Sequence, residues 1–197
     1  KHYILNVHDS EGVRYEEPKL KIVGIEAIKS STPQACRDSL REIFNIIISG
    51  TEDEVIAYIE KFKEEFFNLD MEKIAFPRSV NGLKKYKDSS AIYKKSTPIH
   101  VKGSLIYNHM LKSQKLTRKY PTIKEGEKVK FAYLKDPNPA GDKVIAITDI
   151  LPSEFNLEKY IDYDTQFEKA FVEPLKGVLD VIGWDTERRS SLDNFFI

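Results

Sequence analysis

Several features that would narrow the function of this 197-residue chain are missing from its sequence. Its one cysteine, Cys36, allows neither an internal disulfide nor a metal site of several thiolates, and it fits a reducing compartment. No apolar run approaches the roughly 20 residues that cross a bilayer, so we expect no membrane partner. The N-terminus has a strand-like pattern rather than a basic stretch followed by an apolar run, so no signal peptide is expected.

Motifs that carry enzymatic chemistry are missing as well. The four histidines stand at positions 2, 8, 100 and 109 and form no His-Glu-x-x-His pattern, and the nine glycines are dispersed rather than grouped in a phosphate-binding loop. The best carboxylate pair, Asp162 and Asp164, has the spacing to bind a divalent ion. It also stands where a helix begins, and helix capping is the favoured interpretation. We therefore predict no catalytic residues and no metal site in this chain.

The charge of the chain is unevenly distributed, although 31 Lys and Arg balance 31 Asp and Glu. Residues 31–75 carry a net charge of −5 and residues 136–197 a net charge of −7. Residues 76–135 contain 15 Lys and Arg against three Asp and Glu, a net charge of +12. This basic segment predicts contact with nucleic acid, and a lysine face that is merely solvated is the alternative.

Within the basic segment, lysines alternate with aromatic, hydroxyl and imidazole side chains over residues 84–87, 93–96 and 100–102. Such side chains contact phosphate oxygens, which positions a protein on DNA without reading its sequence. No hydrophobic period is sustained over Ala75–Ser96. We therefore predict a long exposed loop there, of the kind that carries function or mobility in a compact domain.

The remaining pattern predicts an α+β fold, a helical domain with small antiparallel β elements. Strands are expected over residues 3–7 and 20–25, with a turn at Glu11–Gly12, and a strand hairpin over 128–135 and 143–147. Helices are expected after Thr32–Pro33, after the capping box that Thr51 begins, after Thr97–Pro98, and from Asp164 with a bend at Pro174. A chain that begins in a strand favours a sheet partner elsewhere, and an ordinary edge strand is the alternative.

The C-terminus carries a second interaction element. After a polar stretch, Leu192, Phe195 and Phe196 have the spacing at which one helical turn presents anchors to a groove. A tail that folds back on its own core is the alternative.

Taken in order, these segments resemble the C-terminal part of family B replicative DNA polymerases of the T-even-type tailed-phage kind. The segments that carry the resemblance are Lys1–Tyr3, Glu17–Glu26, Lys29–Pro33, Thr97–Gly103 with Tyr107–Asn108, Gly126–Val129, Asp162–Leu175 and the Leu-x-x-Phe-Phe end. Together they cover nearly the whole chain.

The resemblance implies a domain organisation and a set of contacts. Residues 1–29 would be the end of the palm with its strand remnant, residues 30–185 the duplex-gripping thumb, and residues 186–197 a tail that binds a sliding clamp. The residues implied to bind the primer–template duplex are Lys1, Tyr3, Lys29, Ser30, Arg78, Ser79, Lys84, Lys85, Tyr86, Lys95, His100 and Lys102. Those implied to bind the clamp are Leu192, Phe195 and Phe196.

The resemblance also implies that the chemistry lies elsewhere. Family members use two Mg ions held by palm carboxylates, and neither carboxylate motif is found in these 197 residues. The expected partner is the catalytic N-terminal part of the polymerase, without which this chain should not polymerise. The expected location is the cytoplasm of a phage-infected bacterial cell.

Two other functions stay open at this point. One is a free-standing DNA-binding accessory protein that lacks sequence specificity. The other is a protein-interaction module whose lysines are solvated, and the salt dependence of duplex affinity would distinguish it.

Overall fold

The computed structural model of the chain describes residues 3–25 and 29–188. Asn68–Phe167 forms one compact unit, and the segments on either side of it belong to another; we call these the second and the first unit. Helices occur together with small antiparallel sheets, which confirms the predicted α+β class. In the described ranges, no helix combines the length and the apolar character needed to cross a bilayer.

The first unit begins with a two-stranded antiparallel hairpin. Strand β1 spans Tyr3–Ser10 and strand β2 spans Val13–Val23. Glu11 and Gly12 both have positive φ, 52° and 80°, as a type I′ turn requires, so the predicted turn is confirmed. The two strands pair with each other, and a further partner strand elsewhere stays a prediction.

Two helices of the first unit pack against each other. Helix α1 spans Gln34–Ser49 and helix α2 spans Glu52–Phe66. The predicted capping box is confirmed: the Thr51 side chain accepts the Glu54 N–H, and the Glu54 carboxylate accepts the Thr51 N–H at 2.7 Å, a motif that contributes about 1 kcal/mol. Cys36 lies on the buried face of α1, and burial raises its pKa to about 12, so its thiol stays protonated.

The last helical run contains a π-helical turn. Helix α6 spans Tyr163–Phe167, the π turn spans Glu168–Val172, and helix α7 spans Glu173–Ile182. Pro174 has no N–H to donate to the preceding turn, and the wider π turn accommodates that loss. The bend predicted at Pro174 stays a prediction.

The second unit contains a three-stranded antiparallel sheet in the order β3-β4-β5. Strand β3 spans Phe76–Ser79, β4 spans Lys128–Tyr133 and β5 spans Val144–Ile147. The predicted hairpin of β4 and β5 is confirmed.

The exposed loop predicted over Ala75–Ser96 is wrong for residues 75–86, whereas residues 87–96 contain no helix or named strand and are mostly exposed. Strand β3 and a short helix lie in residues 75–86, and the side chains of Ala75, Phe76, Val80 and Leu83 are buried. The Phe76 ring stacks on a ring of β4 with centroids 5.3 Å apart. These apolar residues are too few and too irregularly spaced to produce a hydrophobic period in the sequence. A four-residue strand is buried by the elements that pack on it, and its own sequence pattern does not show this burial.

Helix α5, Ile99–Ser113, packs on β5 and forms the core of the second unit. The helix predicted after Thr97–Pro98 is confirmed. Its apolar residues Val101, Leu105, Ile106, Met110 and Leu111 are all buried. Helix and strand approach each other closely at Gly103, where a Cβ atom would lie 2.8 Å from the Ala146 nitrogen.

Candidate nucleic-acid interface

A four-residue helix, α4 (Leu83–Tyr86), carries part of the predicted DNA-binding set on the second unit. It follows Gly82, whose φ is +92°, and the Glu125 carboxylate accepts the backbone N–H groups of Gly82 and of Leu83, the latter at 2.9 Å. The Leu83 side chain is buried, which fixes the face that the helix turns outward. The predicted residues on α4 are Lys84 and Lys85, which are exposed, and Tyr86, which is half-buried.

The segment after α4 is folded by its own hydrogen bonds. A β-bridge joins Lys87 to Tyr93 across it. Between them, the Asp88 carboxylate accepts the Ser90 hydroxyl at 2.7 Å, the Ser90 N–H at 2.8 Å and the Ala91 N–H at 3.1 Å. These hydrogen bonds hold the pKa of Asp88 below its usual value, and the bond from the Ser90 hydroxyl has the largest effect.

Lys94 connects this segment to α4. Its ammonium donates to the Lys85 carbonyl at 2.7 Å, and its backbone N–H donates to the Tyr86 carbonyl at 2.9 Å. Its neighbour Lys95, a predicted DNA-binding residue, is exposed. The backbone of the following segment is therefore held against α4 by Lys94.

Arg78 and Ser79 lie on β3 rather than on the exposed loop predicted from the sequence. The Arg78 guanidinium lies 5.8 Å from the ring centre of Phe76 and donates to the Pro77 carbonyl at 2.8 Å.

His100, at the start of α5, is half-buried. Its pKa is lowered mainly by burial and also by the positive charge of Arg78. This shift favours the neutral imidazole, which can contribute a hydrogen bond to DNA binding.

Lys102 has a protein partner in this structure. Its ammonium lies 2.8 Å from an oxygen of Asp142, whose side chain is 10% exposed, and 4.7 Å from the ring centre of Tyr93. The Tyr93 hydroxyl donates to the other oxygen of Asp142. We call Tyr93, Lys102 and Asp142 the Asp142 clasp. Direct DNA contact by Lys102 stays a prediction.

An open cleft of about 530 Å³ lies between α4, the segment after it and α5. Its lining includes the apolar residues Leu83, Ile92 and Leu105. Basic residues from these elements also line it, namely Lys84, Lys87, His109 and Lys112. Over the described ranges none of these lysines forms an ion pair, and the acidic lining residue, Asp88, is already bonded to the loop. The cleft is therefore a place for a ligand with negative charge.

Three basic residues of the cleft are missing from the set that the family resemblance implies to bind the duplex: Lys87, His109 and Lys112. Lys87 does belong to the segment 84–87 that is predicted from its residue types to contact phosphate. His109 and Lys112 are three residues apart on α5 and both exposed, a spacing that places them on one helix face. The helical pattern alone gives that shared face. It does not show that α4 lies beside it.

The other residues predicted to contact DNA or the clamp lie either in the first unit or outside the residues that the structure describes. Tyr3 is half-buried on β1, and Lys29 and Ser30 are exposed ahead of α1. Lys1 and the clamp-binding residues Leu192, Phe195 and Phe196 lie outside the described residues.

The predicted capping role of Asp162 is confirmed. Its carboxylate accepts the Thr165 N–H at 3.0 Å and the Thr165 hydroxyl at 2.7 Å, at the start of α6. Among residues 3–25 and 29–188, no three His, Cys, Asp or Glu side chains are grouped so that they could hold a metal ion.

Comparison with known proteins finds two related phage proteins. No family model matches the chain. The DNA-directed DNA polymerase of Enterobacteria phage T4 is 37% identical over 200 residues, and that of Escherichia phage RB69 is 38% identical over 202 residues. Each match covers all of this chain and 22% of the polymerase, so the chain spans about a fifth of the length of these relatives. The resemblance is thereby confirmed: over its whole length the chain is related to the C-terminal portion of T-even-type phage DNA polymerases.

Proposed function

We propose that this chain is the C-terminal, duplex-gripping portion of a family B DNA-directed DNA polymerase. The observation that carries the proposal is a cluster of exposed basic side chains on the second unit, in a chain related to polymerases along its entire length. We call this cluster the basic surface: Lys84, Lys85, Lys87, Lys94, Lys95, His109 and Lys112.

The basic surface suits a duplex that is held without regard to its sequence. Lysine ammonium groups neutralise phosphates and release the counterions condensed on DNA, and this contribution to affinity is the same for every base sequence. A replicative enzyme needs such a grip because every sequence passes through it. In this proposal the acidic segments 31–75 and 136–197 serve as scaffold, and the DNA is held by the basic segment between them.

Nucleotide transfer itself is assigned to the catalytic N-terminal part of the polymerase. There, two Mg ions would activate the primer hydroxyl and stabilise the leaving pyrophosphate. The present chain would hold the product duplex in position for that step. Polymerase activity is then expected only when the catalytic part is present. A free-standing accessory protein would bind duplex equally well with or without that part.

We expect the triple variant K84A/K87A/K112A to have a shallower salt dependence of duplex binding. The slope of log Kobs against log[salt] should fall in magnitude by up to about 2.7, because each phosphate contact contributes about 0.9. Fluorescence anisotropy with a labelled primer–template duplex, at several salt concentrations and with two unrelated sequences, measures this. Both sequences should be affected equally.

The matched control is K61A/K159A/K176A, which removes three exposed lysines from the acidic segments. It should leave the slope unchanged. If the two triple variants lower the slope equally, the basic surface is not the grip. If the wild-type chain shows no salt-dependent affinity for duplex, the lysines are merely solvated and the interaction-module hypothesis is favoured.

We also propose that the C-terminal tail binds a sliding clamp through Leu192, Phe195 and Phe196. Deleting Leu192–Ile197 should abolish binding to the clamp while the melting temperature of the chain stays the same. A lower melting temperature with clamp binding intact would show instead that the tail packs on its own core.

A further inference from the structure

The Asp142 clasp connects three elements of the second unit. Tyr93 belongs to the segment after α4, Lys102 to the first turn of α5, and Asp142 to the turn between β4 and β5. The Lys102 and Asp142 side chains are 28% and 10% exposed, so this ion pair is largely shielded from water. Shielded charge pairs of this kind are costly to break, because the remaining partner loses its compensation.

The turn that carries Asp142 is itself held in place. The Asn138 side-chain amide donates to the Lys135 and Asp142 carbonyls, both at 2.7 Å, and the Asn138 side-chain oxygen accepts the Ala140 N–H at 2.9 Å. The Asp142 carboxylate also accepts the Lys143 N–H at 2.7 Å. Asp142 is therefore a fixed anchor and Tyr93 is the group that it holds.

The electrostatics of the clasp agree with an anchoring role. Burial acts to lower the pKa of Lys102, but the bonds to Asp142 and Tyr93 outweigh it and raise the pKa. Burial, then the bond to Asp142, raises the pKa of Tyr93. Lys102 is thus charged and Tyr93 is a neutral hydrogen-bond donor at pH 7.

We infer that Asp142 is a positioning residue of the basic surface, with Lys102 as its counterion and Tyr93 as the link. Tyr93 is followed directly by Lys94 and Lys95, and Lys94 in turn bonds to α4. Fixing the Tyr93 ring therefore fixes the lysines of the loop and of α4 against α5. The inference rests on the proposed function for its purpose, because positioned lysines matter only if they hold DNA.

The sign of one mutational effect distinguishes this role from simple electrostatics. D142N removes a negative charge and releases Lys102, so electrostatics alone predicts tighter binding to DNA. If Asp142 positions the surface, D142N weakens binding to a labelled primer–template duplex about 5- to 10-fold and makes the salt slope shallower. D149N, which changes an exposed acid of the same unit, should leave affinity the same or slightly higher.

Two further measurements separate positioning from loss of the fold. Limited trypsin digestion of the full chain should cut after Lys94 and Lys95 several-fold faster in D142N than in wild type or D149N. In the D142N background, Y93F should have no further effect on affinity, because the link is already broken. D142E should restore part of the affinity.

The inference is overturned if D142N binds duplex as tightly as wild type or more tightly, or if trypsin cuts it no faster. A wild-type chain that binds no duplex would overturn the proposed function instead. In that case the faster digestion of D142N would still show that the clasp holds the loop.

Discussion

Replacing Gly103 with alanine is expected to lower the free energy of unfolding of the second unit by about 2 kcal/mol. The added Cβ would lie 2.8 Å from the Ala146 nitrogen and 3.0 Å from the Ile145 carbonyl carbon, both backbone atoms of β5. Backbone cannot rotate out of the way as a side chain can, so α5 would have to move off the sheet. The better helix propensity of alanine offsets less than about 1 kcal/mol of this cost.

Gly177 provides the matched control, because it lies in α7 with nothing within 4 Å of an added Cβ. G177A should raise the free energy of unfolding by about 0.5–1 kcal/mol. Urea unfolding measures both variants, and hydrogen exchange at the amides of β5 reports the second unit. Equal or greater stability of G103A would show that α5 and β5 do not approach as closely as the structure has them.

Replacing Gln166 with leucine is expected to lower the free energy of unfolding by about 2–4 kcal/mol. This side chain has no exposed surface; its amide donates to the Ile74 carbonyl at 2.7 Å and its oxygen accepts the Tyr133 N–H at 3.2 Å. Leucine fills a similar volume but removes both hydrogen bonds, the one to the Ile74 carbonyl being fully buried. Each unsatisfied group costs about 1–3 kcal/mol.

Two other variants test the explanation for Gln166. Q34L makes the same change at an exposed position of α1 and should alter stability by less than about 0.5 kcal/mol. Q166E keeps an acceptor for the Tyr133 N–H. At pH values above the pKa of the new carboxyl, however, it buries a negative charge. Its deficit should shrink as the pH falls through that pKa, because the protonated acid can again donate to Ile74. A deficit independent of pH would contradict this account.

The sequence predicts elements best where punctuation and a long apolar stripe agree. Helix α2 is an example, since Thr51 and Glu54 are three residues apart in the chain and cap the helix by local bonds. Helix α5 and the β4–β5 hairpin are predicted from their local apolar patterns. Strand β3 is missed because its burial comes from Phe131, more than 50 residues away in the chain.

The candidate site shows the same division. The charge bias of residues 76–135 predicts a basic surface. The family resemblance implies contacts by Lys84, Lys85 and Lys95, all of which are exposed. It gives Lys102 the same role, because the sequence does not show Asp142 beside it. Lys112 is missing from that set, and only the fold brings it to one cleft with Lys84 and Lys87.

By itself, then, the sequence determines the class of fold, the segment that carries positive charge and the relation to phage DNA polymerases. These depend on composition, local capping and the linear order of motifs, all of which are properties of neighbours in the chain. Only the tertiary structure decides which charges are available to a partner. A lysine that lies beside an acidic residue from a distant turn forms an ion pair within the protein. A lysine that has no acidic neighbour is open to phosphate. The zero net charge of the whole chain reports neither case, because pairing depends on distance in space.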